Sequence, residues 1–203
     1  MKKIICILIA ALMAFTFAAC SDNGSEIKET TESTTEMSTE IAGTLEEIAA
    51  EMYTKTTTIE MMLMEPIEID LTDPDAVKSY LGIDSADSIE RAVFSEPMIG
   101  SIAYSMSLVT VKDGSDVEAL KSQILEGINY RKWLCVAAEK VLVTSCGSTV
   151  MMVMAQEEIV DDVYNAFNSV ANGAASSPLT KIGEIQEEYP EGGLIIEDDV
   201  ILG

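Results

Sequence analysis

The amino-acid sequence predicts an α+β fold, with an antiparallel sheet of about four strands and helices packed on one face. Two observations lead to this prediction. Pairs of neighbouring β-rich runs lie at 88–111 and 141–155, and segments with helical apolar spacing precede, separate and follow them. The predicted order is therefore helix-strand-strand-helix-strand-strand-helix, in which neighbouring strands pair directly with each other.

Capping residues predict the first two helices. The segment TLEEIAAEMYTK begins at Thr44, and Glu47 three residues later completes a capping box. The segment LTDPDAVKSYLG has Asp73 as its N-cap, Pro74 in its first turn and Gly82 as its stop. Between the two helices, IEMMLMEPIEI is apolar and fits either a strand or an irregular segment.

The middle of the chain predicts two strands and a long helix. SIERAVFSEP (88–97) and the alternating stretch from about 101 to 111 are expected to form an antiparallel pair. The next segment, SDVEALKSQILEGINYRKW, is amphipathic, with Asp113 or Ser115 as its cap. Its expected buried stripe consists of Val117, Leu120, Ile124, Leu125 and Ile128.

A hairpin and a final helix complete the predicted domain, which spans 44–173. VLVTSC and TVMMVMA flank a glycine-containing turn and predict a hairpin over 141–155. The helix that follows ends at Gly173. The tail from 174 to 203 is mixed and acidic, and its GGLIIEDDVILG fits either an edge strand or loose chain. The apolar face of the last helix consists of Ile159, Val160, Val163, Phe167 and Val170.

The first 19 residues have the layout of a secretory signal peptide. Lys2 and Lys3 precede a run without charge, which is slightly short for a membrane span. Ala18 and Ala19 stand directly before Cys20, so the run resembles the lipobox of bacterial lipoproteins. That resemblance implies cleavage before Cys20 and a diacylglyceryl group on its sulfur, whereas an ordinary signal peptide with an unmodified thiol is the alternative.

Residues 20–43 then form the lipidated cysteine and a tether rich in Ser, Thr and Glu. Such a composition buries too little apolar surface to offset its ordering entropy, which predicts disorder. About 22 flexible residues reach roughly 25 Å. The domain is therefore expected to stay close to the outer face of the cell membrane.

The charge of the chain excludes one class of partner. Removal of the signal peptide leaves 10 basic and 35 acidic residues, a formal charge of 10 − 35 = −25. Such a surface repels phosphate backbones, so we expect no nucleic-acid partner. It also repels anionic lipid head groups, and the acyl chains are therefore expected to provide the membrane attachment without a basic patch.

The chain contains no histidine, which excludes Ser-His-Asp and Cys-His catalysis and His-ligated zinc. No EF-hand spacing is present, and the methionine-rich MMLM and MMVM segments indicate core strands rather than a thioether metal site. We therefore expect no metal or other cofactor. Cys135 and Cys146 remain after processing, and an exported protein permits one disulfide between them, whereas two buried thiols are the alternative.

One basic and aromatic cluster interrupts the acidic sequence. Arg131, Lys132 and Trp133 follow one another near the expected end of the third helix. Cations suit the negative end of the helix dipole, and Trp133 has the size to pack into a core. The alternative is a contact for an anionic group or ligand.

The central block resembles a known family. GSIAYSMSLVTVKDGSDVEALKSQILEGINYRKWL, the VLVTSCGSTVMMVM hairpin and the earlier SYLGI are similar to the domain-of-unknown-function family 4358, lipoproteins of clostridia-like Firmicutes. The resemblance covers roughly residues 45–171 and the leader. It implies a Gram-positive envelope and a similar α+β domain, and it implies no activity.

The sequence thus leads to a hypothesis about function. We expect a lipid-anchored extracytoplasmic protein, not an enzyme, whose domain binds an envelope protein or a cell-wall component. One alternative is a lipoprotein that captures a small ligand for a transporter, which requires a concave pocket. The other is a histidine-free enzyme, which requires a buried pair of carboxylates in a cleft.

Overall fold

A computed structural model describes residues 40–59, 65–98 and 102–183 of the chain. The predicted signal peptide, Cys20, most of the tether, the MMLM segment and the tail beyond 183 lie outside the described residues. The described part contains four helices and six strands. They are α1 (Leu45–Tyr53), β1 (Ile67–Glu68), α2 (Pro74–Leu81), β2 (Ile89–Ser95), β3 (Ser105–Val111), α3 (Val117–Gly127), β4 (Lys140–Cys146), β5 (Thr149–Ala155), α4 (Glu157–Val170) and β6 (Leu179–Ile182).

The strands form one antiparallel sheet in the order β1-β2-β3-β5-β4-β6. The α+β class and both predicted strand pairs are confirmed. The sheet is wider than the expected four strands because two short strands extend its edges. β1 adds a two-residue pairing to β2, and β6 pairs with β4 within the segment predicted as a mixed tail.

The prediction that helices pack on one face of the sheet is wrong, because α1 and α4 cover one face and α2 and α3 cover the other. Alternate residues of β5 therefore enter two separate cores: Met151 and Val153 face α1 and α4, whereas Met152 and Met154 face α2 and α3. A strand buried on both faces has a continuous apolar run rather than an alternating one. The TVMMVMA run contains this signal, since all seven residues of β5 are buried.

The helix boundaries follow local capping chemistry. The Thr44–Glu47 capping box at α1 is confirmed, as are the Asp73 cap and the left-handed Gly82 at α2. At α3 the predicted cap is wrong: Asp116 accepts the N–H of Ala119 at 3.0 Å. α3 also ends at Gly127 rather than near Trp133, because the backbone turns extended at the next residue.

The two ends of the sheet differ in what they carry. The hairpin end holds the turn Gly147–Ser148 between β4 and β5, and there the carboxylate of Glu40 accepts the backbone N–H of Ser148 at 3.0 and 3.1 Å. The opposite end holds the ends of β2 and β5 and the starts of β3 and β4. We call it the cleft end, and it lies about 20 Å away along a seven-residue strand.

Candidate functional site

An ion pair fixes the segment 128–139, which connects α3 to β4, at the cleft end. The Nζ of Lys132 pairs with the Oε1 of Glu96, the residue directly after β2. Lys132 Nζ also donates to the Oγ of Ser105 at 3.3 Å. Both charged side chains are largely buried, with 14% and 21% of their surface exposed. The segment is thus attached to the end of β2 and the start of β3.

Aromatic rings surround the same ammonium group. Lys132 Nζ lies 4.7 Å from the centre of the Tyr80 ring and 5.5 Å from that of Trp133. Tyr80 in turn stacks on Phe94, with ring centres 3.7 Å apart. Burial lowers the pKa of Lys132, and the neighbouring Glu96 carboxylate opposes that shift.

The structure therefore divides the predicted basic cluster. Lys132 and Trp133 pack inward and hold the segment, whereas Arg131 is exposed. The charge of Lys132 is already paired with Glu96, so this lysine positions its neighbours rather than offering a cation to solvent. An anion contact stays a prediction for Arg131.

The fixed segment displays apolar side chains to solvent. Leu134 is fully exposed (103%), and Met98, two residues after Glu96, is 84% exposed. Both side chains are carried by residues close in sequence to the Lys132–Glu96 pair. Large apolar side chains held outward beside an apolar cleft are a feature of binding surfaces.

A small cleft of about 270 Å³ opens at the same end of the sheet, and its lining begins two residues after Leu134, at Val136. Three separate parts of the chain build it: the approach to β3, the approach to β4, and the start of α4. Its lining is mostly apolar and consists of Ile102, Ala103, Val136, Ala137, Glu139, Gln156 and Ile159. We call these residues, together with Met98 and Leu134, the cleft-end surface.

Carboxylates border one side of the cleft. Glu139 Oε2 accepts the backbone N–H of Glu157 at 3.2 Å and so supplies the cap that Gln156 does not provide to α4. Lys140 Nζ donates to Asp161 Oδ1 at 2.6 Å and to Glu157 Oε1 at 3.4 Å. Two carboxylates thus contact the Lys140 ammonium group and Glu139 is a third at the same rim, so these four side chains carry a formal charge of 1 − 3 = −2.

Cys135 and Cys146 are not joined by a disulfide. Cys135 is exposed on the segment 128–139, whereas Cys146 is buried at the other end of β4. β4 alone spans about 20 Å, and a disulfide requires Cα atoms within about 7 Å. Burial raises the pKa of the Cys146 thiol, and the charge of Glu40 raises it further.

A lysine–serine pair forms elsewhere in the described residues, and the sequence patterns missed it because its members lie 55 residues apart. Lys121, which is 1% exposed, donates from Nζ to the Oγ of Ser176 at 2.8 Å. The same Nζ donates to both carboxylate oxygens of Glu118 at 2.9 and 3.1 Å.

Serine catalysis by such a pair requires a lysine that accepts the hydroxyl proton. Here the Nζ of Lys121 donates in all three contacts, and the backbone N–H of Ser145 also donates to Ser176 Oγ at 3.1 Å. The pair therefore attaches the chain before β6 to α3 and β4, and we assign it a positioning role.

The described residues contain neither a metal-binding cluster nor a membrane-spanning helix. Between residues 40 and 183, excluding 60–64 and 99–101, no three acidic or cysteine side chains converge as a metal site would require. The helices in this part of the chain are all too short or too polar to cross a bilayer.

Comparison with known proteins identifies no relative. No family model, curated protein or solved structure matches the chain.

Proposed function

We propose that this protein is an extracytoplasmic membrane lipoprotein, anchored through Cys20, whose domain is a non-catalytic module that binds an envelope partner at the cleft-end surface. The observation that carries the proposal is the exposure of Leu134 and Met98 at the end of the sheet where an apolar cleft opens, in a chain of net charge −23. Apolar groups in so polar a surface gain free energy when a partner covers them.

In an anchored chain, the connection to the anchor enters the domain at the end opposite the cleft-end surface. Cys20 precedes Glu40 by 40 − 20 = 20 residues, and Glu40 binds the hairpin end through Ser148. An anchored chain thus reaches the domain at the hairpin end, and the cleft-end surface lies at the other end of the sheet. The leader sequence, with Ala18 and Ala19 directly before Cys20, supports the anchor itself.

The size of the cleft favours a macromolecular partner over an enclosed ligand. Sites for small molecules measure about 300–1,000 Å³ and enclose most of the ligand. At about 270 Å³ the cleft lies at the lower edge of this range, and its apolar lining suits an apolar side chain of a partner. The rim carboxylates of Glu157 and Asp161 are 65% and 54% exposed, unlike the buried pair that carboxylate catalysis needs.

Photo-crosslinking in intact cells tests the proposal. A photoreactive residue replaces Leu134 or Met98 in the anchored protein, and Ser85 or Asp113 in matched controls away from the cleft end. We expect one discrete cross-linked product from positions 134 and 98 and none from the controls. The same pattern of products from all four positions, or no product from 134 and 98, would contradict a binding role for this surface.

The anchor is tested in the same cells with a Cys20→Ala variant. If anchoring places the domain beside its partner, this variant leaves the membrane fraction and loses the product at position 134. If the variant stays in the membrane fraction and keeps the cross-linked product at position 134, anchoring through Cys20 is contradicted.

A second cleft favours the ligand-capture alternative. About 430 Å³ of open space lies where α2 and α3 meet, and its lining includes Lys78, Asp84, Gln123 and Glu126. Its volume falls within the range for small-molecule sites, and its polar lining suits a polar solute. Co-purification of a small polar molecule that a Gln123→Ala variant no longer retains would support this function.

A further inference from the structure

We propose that the partner segment recognised by the cleft-end surface is basic and amphipathic, with an apolar side chain that enters the cleft and flanking cations that meet the rim of Glu139, Glu157 and Asp161. This inference rests on the proposed function and specifies the chemistry of its partner. It follows from two properties of one surface, an apolar cleft and an adjacent negative rim.

The carboxylates of the rim still have oxygen atoms that can accept hydrogen bonds from a partner. The ammonium group of Lys140 contacts one carboxylate oxygen of Glu157 at 3.4 Å and one of Asp161 at 2.6 Å. Glu139 accepts the N–H of Glu157 with Oε2. A partner cation therefore meets a formal charge of −2 and further carboxylate lone pairs.

The apolar residues of the cleft-end surface provide the contact for the partner's apolar side chain. Val136, Ala137 and Ile159 line the cleft, and Leu134 extends beyond it two residues before Val136. An apolar side chain in the cleft lies against Val136 and Ala137 of the segment 128–139 and close to the rim at the start of α4. Burial of one such side chain typically contributes ~1.5–3 kcal/mol, while the charges select the partner and steer its approach.

Like charge disfavours three other candidates for the cleft, which are the segment 184–203, the segment 21–39 and a second copy of the chain. Residues 184–203 contain seven acidic residues and no basic one, and residues 21–39 contain five acidic residues and one lysine. A second copy of the chain carries the same net charge of −23. All three meet the negative rim with like charge, whereas a cationic segment meets it with opposite charge.

Peptide binding to the full anchored chain in zwitterionic phosphatidylcholine vesicles tests the inference. The probe is a fluorescent peptide with one central leucine flanked by lysines. One comparison peptide has glutamates in place of the lysines, a second has uncharged glutamines there, and a third has serine in place of the leucine. Anisotropy gives the Kd, and slower alkylation of Cys135 shows that the peptide occupies the cleft end.

The variant pair is matched in charge. Glu139→Gln with Glu157→Gln keeps side-chain acceptors at the rim and removes two charges. Glu90→Gln with Asp113→Asn removes two exposed charges near the hairpin end. We expect the rim variant to bind the lysine peptide about fivefold more weakly at low salt, and the control variant to bind it within about twofold of the original.

Other outcomes would overturn the inference. Equal binding of the glutamate or glutamine peptide would show that charge does not select the partner, and equal binding of the serine peptide would show that the cleft does not take part. Equal weakening of lysine-peptide binding in the rim variant and in the control variant would show that net charge, and not the rim, attracts the peptide. If no peptide binds while the cross-link at position 134 persists, the basic partner is refuted and the proposed function stands.

Discussion

Lys132 and Glu96 form an ion pair that is largely buried, across 36 residues of sequence and between two parts of the chain that have no regular secondary structure. The pair attaches the segment 128–139 to the end of β2, and the same segment carries Leu134 outward. The strength of this ion pair therefore affects how firmly the segment 128–139 is held at the cleft end. A partner meets a surface that is already in place, which lowers the ordering cost of binding.

Replacement of Lys132 by methionine tests the strength of this attachment. The variant keeps the side-chain length but leaves the Glu96 carboxylate unpaired in a largely buried position. Loss of one partner from a fully buried pair costs ~3–5 kcal/mol, and we expect about 1–3 kcal/mol here because both groups keep some exposure. Urea unfolding measures this loss in the free energy of unfolding.

Lys78→Met provides the control for that measurement. Lys78 pairs with Asp84 at 2.7 Å, but their side chains are 52% and 91% exposed. An exposed pair contributes about 0–1 kcal/mol, so the control should change little. Equal losses from Lys78→Met and Lys132→Met would contradict a special role for the Lys132–Glu96 pair.

The Glu46–Arg91 pair should make stability depend on pH. Hydrogen bonds from Arg91 lower the pKa of Glu46 to about 2, from an ordinary value of 4.5. Because the pKa is lower in the folded state, the contribution is present above about pH 4.5 and is lost as the pH falls to about 2. Both side chains are more than one third exposed, so we expect less than about 1 kcal/mol.

Unfolding curves of the original protein and of Glu46→Gln between pH 7 and pH 2 measure this dependence. The difference in the free energy of unfolding should be constant above about pH 5 and should vanish towards about pH 2. Glu51→Gln is the matched control, since Glu51 makes only an exposed contact to Lys55 at 3.4 Å. A difference that grows as the pH falls would contradict the assignment.

The cap of α3 gives a prediction with a near neighbour as its control. Asp116 accepts the N–H of Ala119, whereas Asp113 lies outside the helix. Asp116→Ala should therefore lower the free energy of unfolding by about 1 kcal/mol, as loss of an N-cap usually does. Asp113→Ala should lie within about 0.5 kcal/mol of the original. The reverse order in a denaturant titration would contradict the structure.

Gly127 should resist a substitution that usually stabilises helices. Alanine is favoured over glycine within a helix by about 0.5–1 kcal/mol. At this position, however, an added Cβ collides with the carbonyl oxygen of Gly82, where α2 meets α3. We expect Gly127→Ala to destabilise the fold by about 1–3 kcal/mol in thermal unfolding, since the two backbones must separate. A rise in Tm would show that this close contact does not exist.

The two mature thiols should react at very different rates. Cys135 is exposed, whereas burial protects Cys146 and raises the pKa of its thiol. Peptide mass spectrometry should therefore find a maleimide on Cys135 in the native protein, and on Cys146 only after denaturation. No addition until a reductant is supplied would indicate a disulfide, and two rapid additions would contradict the burial of Cys146.

Local signals in the sequence were sufficient to predict much of the fold. The Thr44–Glu47 box and the Asp73 cap satisfy backbone groups within three residues, so the pattern of the chain specifies them directly. The hairpin over β4 and β5 likewise depends on a short turn between two β-rich runs.

Features that depend on distant contacts were not predictable in this way. Lys121 is charged, but Glu118 and Ser176 satisfy its ammonium group and allow its burial. The cleft combines residues from three parts of the chain, and no spacing rule brings Ile102 and Ile159 together. The sequence shows the basic cluster at 131–133, but only the fold shows that Glu96 is the partner of Lys132.

Mass spectrometry of the mature protein, extracted from the membrane of a Gram-positive host, tests the central claim most directly. We predict an N-terminal peptide that begins at Cys20 and carries a diacylglyceryl group, together with loss of that mass and of membrane association in Cys20→Ala. A chain that still begins at Met1, or one in which the Cys20 thiol is unmodified, would contradict the proposal that this acidic domain works from a lipid anchor.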